Sequence, residues 1–397
     1  MPSRSRRKHY LDALRLSARR VPACAQVFRE VAAGNLDDFS LPQLEARLAA
    51  TRCAGRGCRV CGDAALRLVG YLAWHRGAET GLDLARWTRR YLAPLDQPDF
   101  KLRVEDFLAF LLRHSSTEDS LAALAMSSAY VESSPPEERA YHYAQAAYVH
   151  AEAGRFDEAR QSVRLSRDLF ADGGPDDPER GPAWAALADT YTEVSAVYCG
   201  HEAQLLDAFR HALLALPQVD DELAPRTCAA LTTNLVATFV TATRTGVADI
   251  DPGVVLTELE GLFDFSSRRS DPYATNFRWM WTLCKAMTDG FSLAVRNRLR
   301  NTRHGLLLQG RTRDLLFFEL DVFWLVCYRP RLPRGANLSA ALEHVERALL
   351  KAGQSTDVLA PVRQALRGGT YLTREMLSPL FALRKIPADH VRDLRFC

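Results

Sequence analysis

The chain has 397 residues, too many for one compact core and enough for two or three lobes or one continuous array of repeats. Its hydrophobic share of 47% and charged share of 25% are those of an ordinary globular protein, and they exclude disorder as the dominant state. The sequence pI of about 8.4 is below that of most dedicated nucleic-acid binders.

Composition also bears on origin and compartment. Arginine supplies nearly all of the positive charge, which together with abundant Ala and Leu suggests a GC-rich bacterial genome. The N-terminus lacks the apolar segment of a signal peptide, and the most apolar run, Leu315 to Tyr328, is shorter than the roughly 20 residues that cross a bilayer. The nine cysteines are an odd number and mostly scattered, as in a reducing compartment. We therefore expect a cytoplasmic protein without a membrane segment.

Amphipathic helices joined by short polar turns are predicted along the whole chain, because apolar residues recur at spacings of three and four between Gly and Pro breakers. The predicted helices cover residues 8–20, 22–33, 41–51, 62–76, 80–93, 102–114, 118–131, 136–153, 156–171, 182–198, 201–215, 225–245, 253–264, 273–288, 290–303, 311–328, 337–352, 355–367 and 373–383. Strand alternation is nearly absent. Helices of this length with short links predict antiparallel hairpins and an all-α protein.

The N-terminal region is strongly basic. Arg4, Arg6, Arg7 and Lys8 form an arm that could contact nucleic-acid phosphates, with an affinity that falls steeply as salt rises. A solvated terminus without a ligand is the alternative explanation for the same charges.

A cluster of three cysteines, Cys53, Cys58 and Cys61, follows this region. Its glycines let the backbone turn back and its arginines favour the thiolate, so zinc is a candidate ligand. The fourth zinc ligand would be Cys24 or His75, although a helix after Cys61 would place His75 about 20 Å away. The spacing also occurs in iron–sulfur loops, and a Gly-rich loop with unoccupied thiols is a further alternative.

The most informative stretch is residues 140–170, which form one helix pair joined at Gly154, with Ala147 and Ala159 where the helices would touch. Such a pair cannot bury its apolar face alone and must stack on similar units. The pattern resembles the tetratricopeptide repeat in its turn and first helix. It departs from that repeat at Ser166 and lacks the closing proline.

This resemblance implies an α-solenoid of antiparallel helix hairpins. We expect the repeat array over residues 61–355, a basic helical region over 1–60 and a C-terminal helical cap over 356–397. An irregular helical bundle without true repeats is the alternative architecture.

The same resemblance implies a protein-binding scaffold whose first-helix side chains, such as Tyr143, His150 and Tyr191, line a concave groove that takes a protein or peptide. No Walker loop, GxSxG or HExxH motif is present, so we expect no enzymatic activity. The favoured function is an adaptor, a regulatory or sensor subunit of a larger bacterial assembly. The alternative is a nucleic-acid-associated regulator that uses the basic N-terminal region, pinned by zinc.

A second candidate partner surface consists of Arg296, Arg300 and Arg303, which share one face of a predicted helix. Guanidinium groups in a groove could bind an acidic peptide or a nucleic-acid backbone. A solvated outer face is the alternative. Because residues 1–70 are basic and 151–225 acidic, two copies of the chain could also pack head to tail.

Overall fold

A computed structural model describes residues 23–33, 39–51, 59–76, 78–94, 97–113, 116–173, 181–216, 225–245, 272–308, 310–328, 334–384, 388 and 391–394. Within these ranges the backbone is helical apart from turns and one isolated antiparallel bridge between Leu372 and Leu394. The prediction of an all-α protein is therefore confirmed for the described part of the chain. The predicted helices 8–20 and 253–264 lie outside it.

The helices follow the predicted order closely. They are α1 (Ala23–Ala33), α2 (Leu41–Ala49), α3 (Arg59–Arg76), α4 (Ala78–Leu92), α5 (Pro98–Leu112), α6 (Thr117–Ser128), α7 (Pro136–Glu152), α8 (Phe156–Gly173), α9 (Gly181–Tyr198), α10 (Leu205–Ala215), α11 (Pro225–Thr245), α12 (Pro272–Asp289), α13 (Leu293–Leu308), α14 (Thr312–Tyr328), α15 (Arg334–Lys351), α16 (Ala360–Gly368) and α17 (Arg374–Ala382). No helix in the described ranges is both long and apolar enough to cross a membrane.

The chain divides into two compact units. The first comprises residues 1–192 and 217–225, and the second comprises 193–216 and 226–397. The division falls inside α9, and so inside the single array predicted for residues 61–355.

In the described part of the first unit, the antiparallel hairpins α3/α4, α5/α6 and α7/α8 pack in chain order. Helix α5 contacts both α3 and α4, and α7 contacts both α5 and α6. The first half of α9 continues the order, because Trp184 lies 6.1 Å from Tyr141 of α7 and Arg167 of α8 pairs with Asp189 of α9 at 2.7 Å. Each first helix thus covers both helices of the preceding hairpin.

The α7/α8 hairpin turns where the sequence predicts. Gly154 has a φ of 72°, a left-handed conformation that glycine adopts without strain, and it follows directly on the last turn of α7. Ala147 and Ala159, the small residues expected where the two helices touch, are fully buried. Ser166, which departs from the repeat pattern, is also fully buried, and its hydroxyl donates to the Ala140 carbonyl at 2.8 Å. A serine fits there because its only polar group has a partner.

The second unit has the same packing order. Hairpin α12/α13 turns at Gly290, beside the break between the predicted helices 273–288 and 290–303, and α14 contacts both of its helices before pairing with α15. Helix α16 then packs on α15, and α17 packs on α14 and α16. Helix α14 is buried along almost its whole length, from Leu315 to Cys327, with only Phe317 half-exposed.

An ion pair of one kind recurs between neighbouring hairpins. In each case an arginine on the second helix of one hairpin holds a buried carboxylate on the first helix of the next. The pairs are Arg89–Glu105 (α4 to α5, 2.7 Å), Arg167–Asp189 (α8 to α9, 2.7 Å) and Arg303–Glu319 (α13 to α14, 2.8 Å). We call these pairs the arginine links. Their acids are at most 8% exposed, so each link fixes one helix against the next in low-dielectric surroundings.

Two helical glycines offer a test of the packing. A Cβ at Gly81 of α4 would lie 2.5 Å from the Ala73 Cβ of α3, whereas a Cβ at Gly305 of α13 would meet nothing closer than 3.9 Å. We expect Gly81→Ala to lower the free energy of unfolding by about 1–3 kcal/mol through overpacking. Gly305→Ala should instead raise it, by up to about 1 kcal/mol, because alanine is the better helix former. Urea denaturation of both variants checks the opposite signs, and a stabilising Gly81→Ala would contradict the close approach.

Candidate functional site

An aromatic strip runs across α5, α7 and the first half of α9, the first helices of successive hairpins in the first unit. Phe110 of α5 and Tyr148 of α7 meet edge to face with ring centroids 5.6 Å apart, and Tyr148 and Tyr191 of α9 lie 4.7 Å apart. The Arg113 guanidinium sits 3.6 Å from the Phe110 ring centroid, and the Tyr191 hydroxyl donates to Glu152. We use the name aromatic strip for these five residues.

The helical repeat explains why these side chains meet. On α7, residues Tyr141, Gln145, Tyr148 and Glu152 follow one another at spacings of four, three and four, which places them on one side of the helix. That side turns toward α5 and α9, since Tyr148 touches Phe110 and Tyr191 at once. Four of the five strip residues are half-buried, and Tyr148 is 9% exposed.

The strip has the chemistry of a recognition surface. Aromatic rings present large apolar area with little conformational freedom to lose, and their faces also attract cations. An arginine and a glutamate flank the rings, so the strip combines apolar contact with both signs of charge. All five residues stand on helices or at a helix end rather than on loops, which keeps their spacing rigid.

Only one of the three predicted groove residues belongs to the strip. Tyr191 lies in it, but Tyr143 and His150 are displaced from Tyr148 by five and two residues, which puts them on the opposite side of α7. Tyr143 packs 5.3 Å from the His142 ring, and burial lowers the pKa of the half-buried His150. Sequence reasoning missed Phe110, Arg113, Tyr148 and Glu152, although the spacing of Tyr148 and Glu152 on α7 was a usable signal.

The three arginines of the second predicted surface lie on α13 but differ in their surroundings. Arg296 and Arg300 are exposed, whereas the Arg303 side chain is 22% exposed and forms a two-pronged ion pair with the buried Glu319. Arg303 therefore serves as an arginine link between α13 and α14. Only Arg296 and Arg300 present their charges to solvent.

A buried polar group joins α5, α6 and α7 and resembles catalytic machinery at first sight. Asp106 lies 2.8 Å from Nδ1 of His142, and Ser127 Oγ lies 3.4 Å from the same nitrogen. A serine nucleophile needs the opposite ring nitrogen, but Ser127 donates its proton to the Leu124 carbonyl at 2.8 Å. All three residues are at most 2% exposed, so the group ties three helices together away from solvent.

A carboxylate cluster lies at the start of α7. Arg103 of α5 bridges Asp63 of α3, at 3.0 Å, and Glu138 of α7, at 3.5 Å. Burial raises the pKa of Glu138 from 4.5 to about 7, opposed by Arg103 and reinforced by neighbouring acids. Glu138 is therefore an acid whose charge changes near neutral pH.

The proposed zinc ligands are only partly described. Cys53 and Cys58 lie outside the described residues, while Cys61 is fully buried in the first turn of α3. Cys24 is buried on α1, which packs against α3 within the same core. His75 follows Cys61 by fourteen residues of the same helix, about 21 Å along its axis, so the two cannot share a zinc ion. In the described ranges, no group of three His, Cys, Asp or Glu side chains is placed to hold a metal.

The alternative nucleic-acid surface, Arg4, Arg6, Arg7 and Lys8, also lies outside the described residues. Comparison with known proteins adds no further guide: no protein-family model matches the chain, and neither a curated protein nor a solved structure resembles it significantly. The surfaces on which a function can be proposed are therefore the described ones, chiefly the aromatic strip.

Proposed function

We propose that the chain is a tetratricopeptide-like stack of helix hairpins that binds a protein partner along the aromatic strip, as a non-enzymatic scaffold or adaptor. Two features support the stacked architecture. In both units a first helix packs against both helices of the hairpin before it, and an arginine link joins neighbouring hairpins. A hairpin of this kind needs its neighbours to cover its apolar side.

The single observation that carries the binding function is the continuity of the strip across α5, α7 and α9. The rings of Phe110, Tyr148 and Tyr191 form a row, because Tyr148 contacts both of the others. A row of rings favours an elongated ligand over a compact one. A peptide or a helix of a partner protein has that shape. We propose that it offers apolar or cationic side chains, because aromatic faces accept both.

Two further properties of the chain support an adaptor. The buried Asp106–His142–Ser127 group lacks the geometry of a catalytic triad, and the sequence contains none of the common catalytic motifs. The odd, scattered cysteines support a reducing, cytoplasmic setting. In this proposal the chain is a regulatory or sensor subunit that brings a partner into a larger bacterial assembly.

The proposal predicts that a double variant of the strip, Glu152→Ala with Tyr191→Ala, captures the partner at least tenfold less than the native chain. The measurement is affinity capture from the native cell with nuclease treatment, followed by quantitative mass spectrometry and calorimetry with the purified partner. The matched control is Tyr143→Ala with His150→Ala, which removes a tyrosine and a polar residue from the opposite side of α7.

Equal capture by both double variants would overturn the strip as the binding surface. Loss of all partners on nuclease treatment would favour the nucleic-acid-associated regulator instead. In that case replacing Arg4, Arg6, Arg7 and Lys8 by Ala should abolish binding, and the native chain's binding should weaken steeply with salt.

A further inference from the structure

Helix α13 in the second unit is sharply two-sided. One side of the helix is buried and consists of Val295, Leu299, Thr302 and Leu306, which follow one another at spacings of four, three and four residues. The opposite side is exposed and carries leucine, arginine and histidine. We call that side the basic leucine face; its residues are Leu293, Arg296, Arg300, His304, Leu307 and Leu308.

The face is positively charged, because its ionisable side chains are all basic. Residues 290–313 contain no Asp or Glu, and Arg303, the arginine beside the face, is already held by Glu319. Arg296, Arg300 and His304 are exposed to solvent. Arg296 and Arg300 therefore place exposed positive charge on the face.

Leucines at the two ends of the face are among the most exposed large apolar side chains of the described residues. Leu293 at the start of α13 is 70% exposed and Leu308 at its end is 75% exposed. The two are separated by fifteen residues, or about 22 Å along the helix axis. Leu307, at 39%, extends the apolar end. The face therefore offers apolar surface at both ends and positive charge between them.

We infer that the basic leucine face binds an acidic protein segment that carries an apolar side chain near each of its ends. Carboxylates of the segment would pair with Arg296 and Arg300 at the centre of the face, where charge complementarity is greatest. Its apolar side chains would cover Leu293 and Leu308. An α-helix of about fifteen residues has the required length. This surface shares no residue with the aromatic strip, so either proposal can fail without the other.

The distribution of side chains distinguishes this partner from two others. A nucleic-acid backbone would pair with the arginines but would leave the leucines uncovered, since phosphates offer no apolar surface. A membrane would cover the leucines, but the arginines lie at the middle of the face, where a membrane-binding helix keeps its apolar residues. An acidic, leucine-containing segment satisfies both parts of the face at once.

The probe for the test is a fluorescein-labelled eighteen-residue helical peptide with glutamates along its centre and a leucine near each end (about 27 Å long). Fluorescence anisotropy with the full chain should give saturable binding. The double variant Arg296→Glu with Arg300→Glu should bind at least tenfold more weakly. Arg210→Glu on α10 is the control, because Arg210 is an exposed arginine of the same unit, 64% exposed, and should change binding less than twofold.

A second variant, Leu293→Ser with Leu308→Ser, should weaken peptide binding at least threefold without changing the thermal unfolding midpoint, since both leucines are exposed. Duplex DNA and phosphatidylserine vesicles serve as competing probes. The inference is overturned if the peptide shows no saturable binding, or if the serine variant binds the peptide as well as the native chain does. It is also overturned if binding that depends on Arg296 and Arg300 is seen only with DNA or only with vesicles.

Discussion

Replacing Arg303 by Met is expected to destabilise the second unit by about 3–5 kcal/mol. Glu319 is 2% exposed and takes both of its strong contacts from the Arg303 guanidinium. Removing the arginine therefore leaves a buried carboxylate without its counter-charge, which costs far more than the pair itself contributes. Urea denaturation, followed by hydrogen exchange in α13 and α14, measures the loss in the unit concerned.

Two further variants make the interpretation specific. Arg303→Met combined with Glu319→Leu removes both charges and should recover most of the stability, because an apolar pair replaces the ion pair at similar volume. Arg347→Met breaks an exposed pair with Glu343 and should cost less than about 1 kcal/mol. If Arg303→Met cost no more than Arg347→Met, Arg303 would be a surface cation, and its place in a partner surface would have to be considered again.

The second large effect concerns pH. Glu138 has a folded-state pKa of about 7, against 4.5 for an unperturbed glutamate, because burial disfavours its charged form. Glu138 therefore contributes its full stabilisation of the folded state below about pH 4.5, where it is protonated. This stabilisation is lost as the pH rises through about 7. The loss amounts to at most about 3 kcal/mol, from 1.36 kcal/mol per pKa unit. The charged groups that act on this pKa besides burial are Arg103, Glu137, Asp99 and Asp106.

Glu138→Gln stays neutral at every pH and should remove this loss. At pH 8 we expect the free energy of unfolding of the variant to exceed that of the native chain by about 1–3 kcal/mol. At pH 4.5 the two free energies should be nearly equal. Denaturant unfolding at several pH values provides the measurement. Glu118→Gln, at an exposed position in the first turn of α6, should differ from the native chain by a pH-independent amount. If the difference in free energy of unfolding between Glu138→Gln and the native chain were also independent of pH, the raised pKa would be contradicted.

Local features of the fold were predictable from the sequence. Helix positions depend on apolar spacing and on breakers, which are read within a dozen residues, and Gly154 and Gly290 end their helices where the pattern indicates. The small residues Ala147 and Ala159 are fully buried, as expected of side chains that let two helices approach closely. The Ser166 side chain is also small, and its hydroxyl is satisfied because it donates a hydrogen bond to the Ala140 carbonyl.

The candidate surfaces depend on longer-range information. Tyr148 contacts Phe110, thirty-eight residues earlier, and Tyr191, forty-three residues later, so the strip exists only once α5, α7 and α9 are packed. The rotation of α7 about its own axis decides that Tyr148 rather than Tyr143 joins it. Likewise, Arg303 and Glu319 meet across two helices, which helical spacing along α13 alone does not reveal.

The arginine links also bear on how the chain avoids misassembly. Successive hairpins are similar in length and present similar alanine- and leucine-rich sides, so hydrophobic contact alone discriminates weakly between a neighbour and a hairpin further along. A hairpin that docked out of order would bury Glu105, Asp189 or Glu319 away from its own arginine, at a cost of several kcal/mol. Each link therefore identifies one correct neighbour at its own junction: α4 with α5, α8 with α9, and α13 with α14.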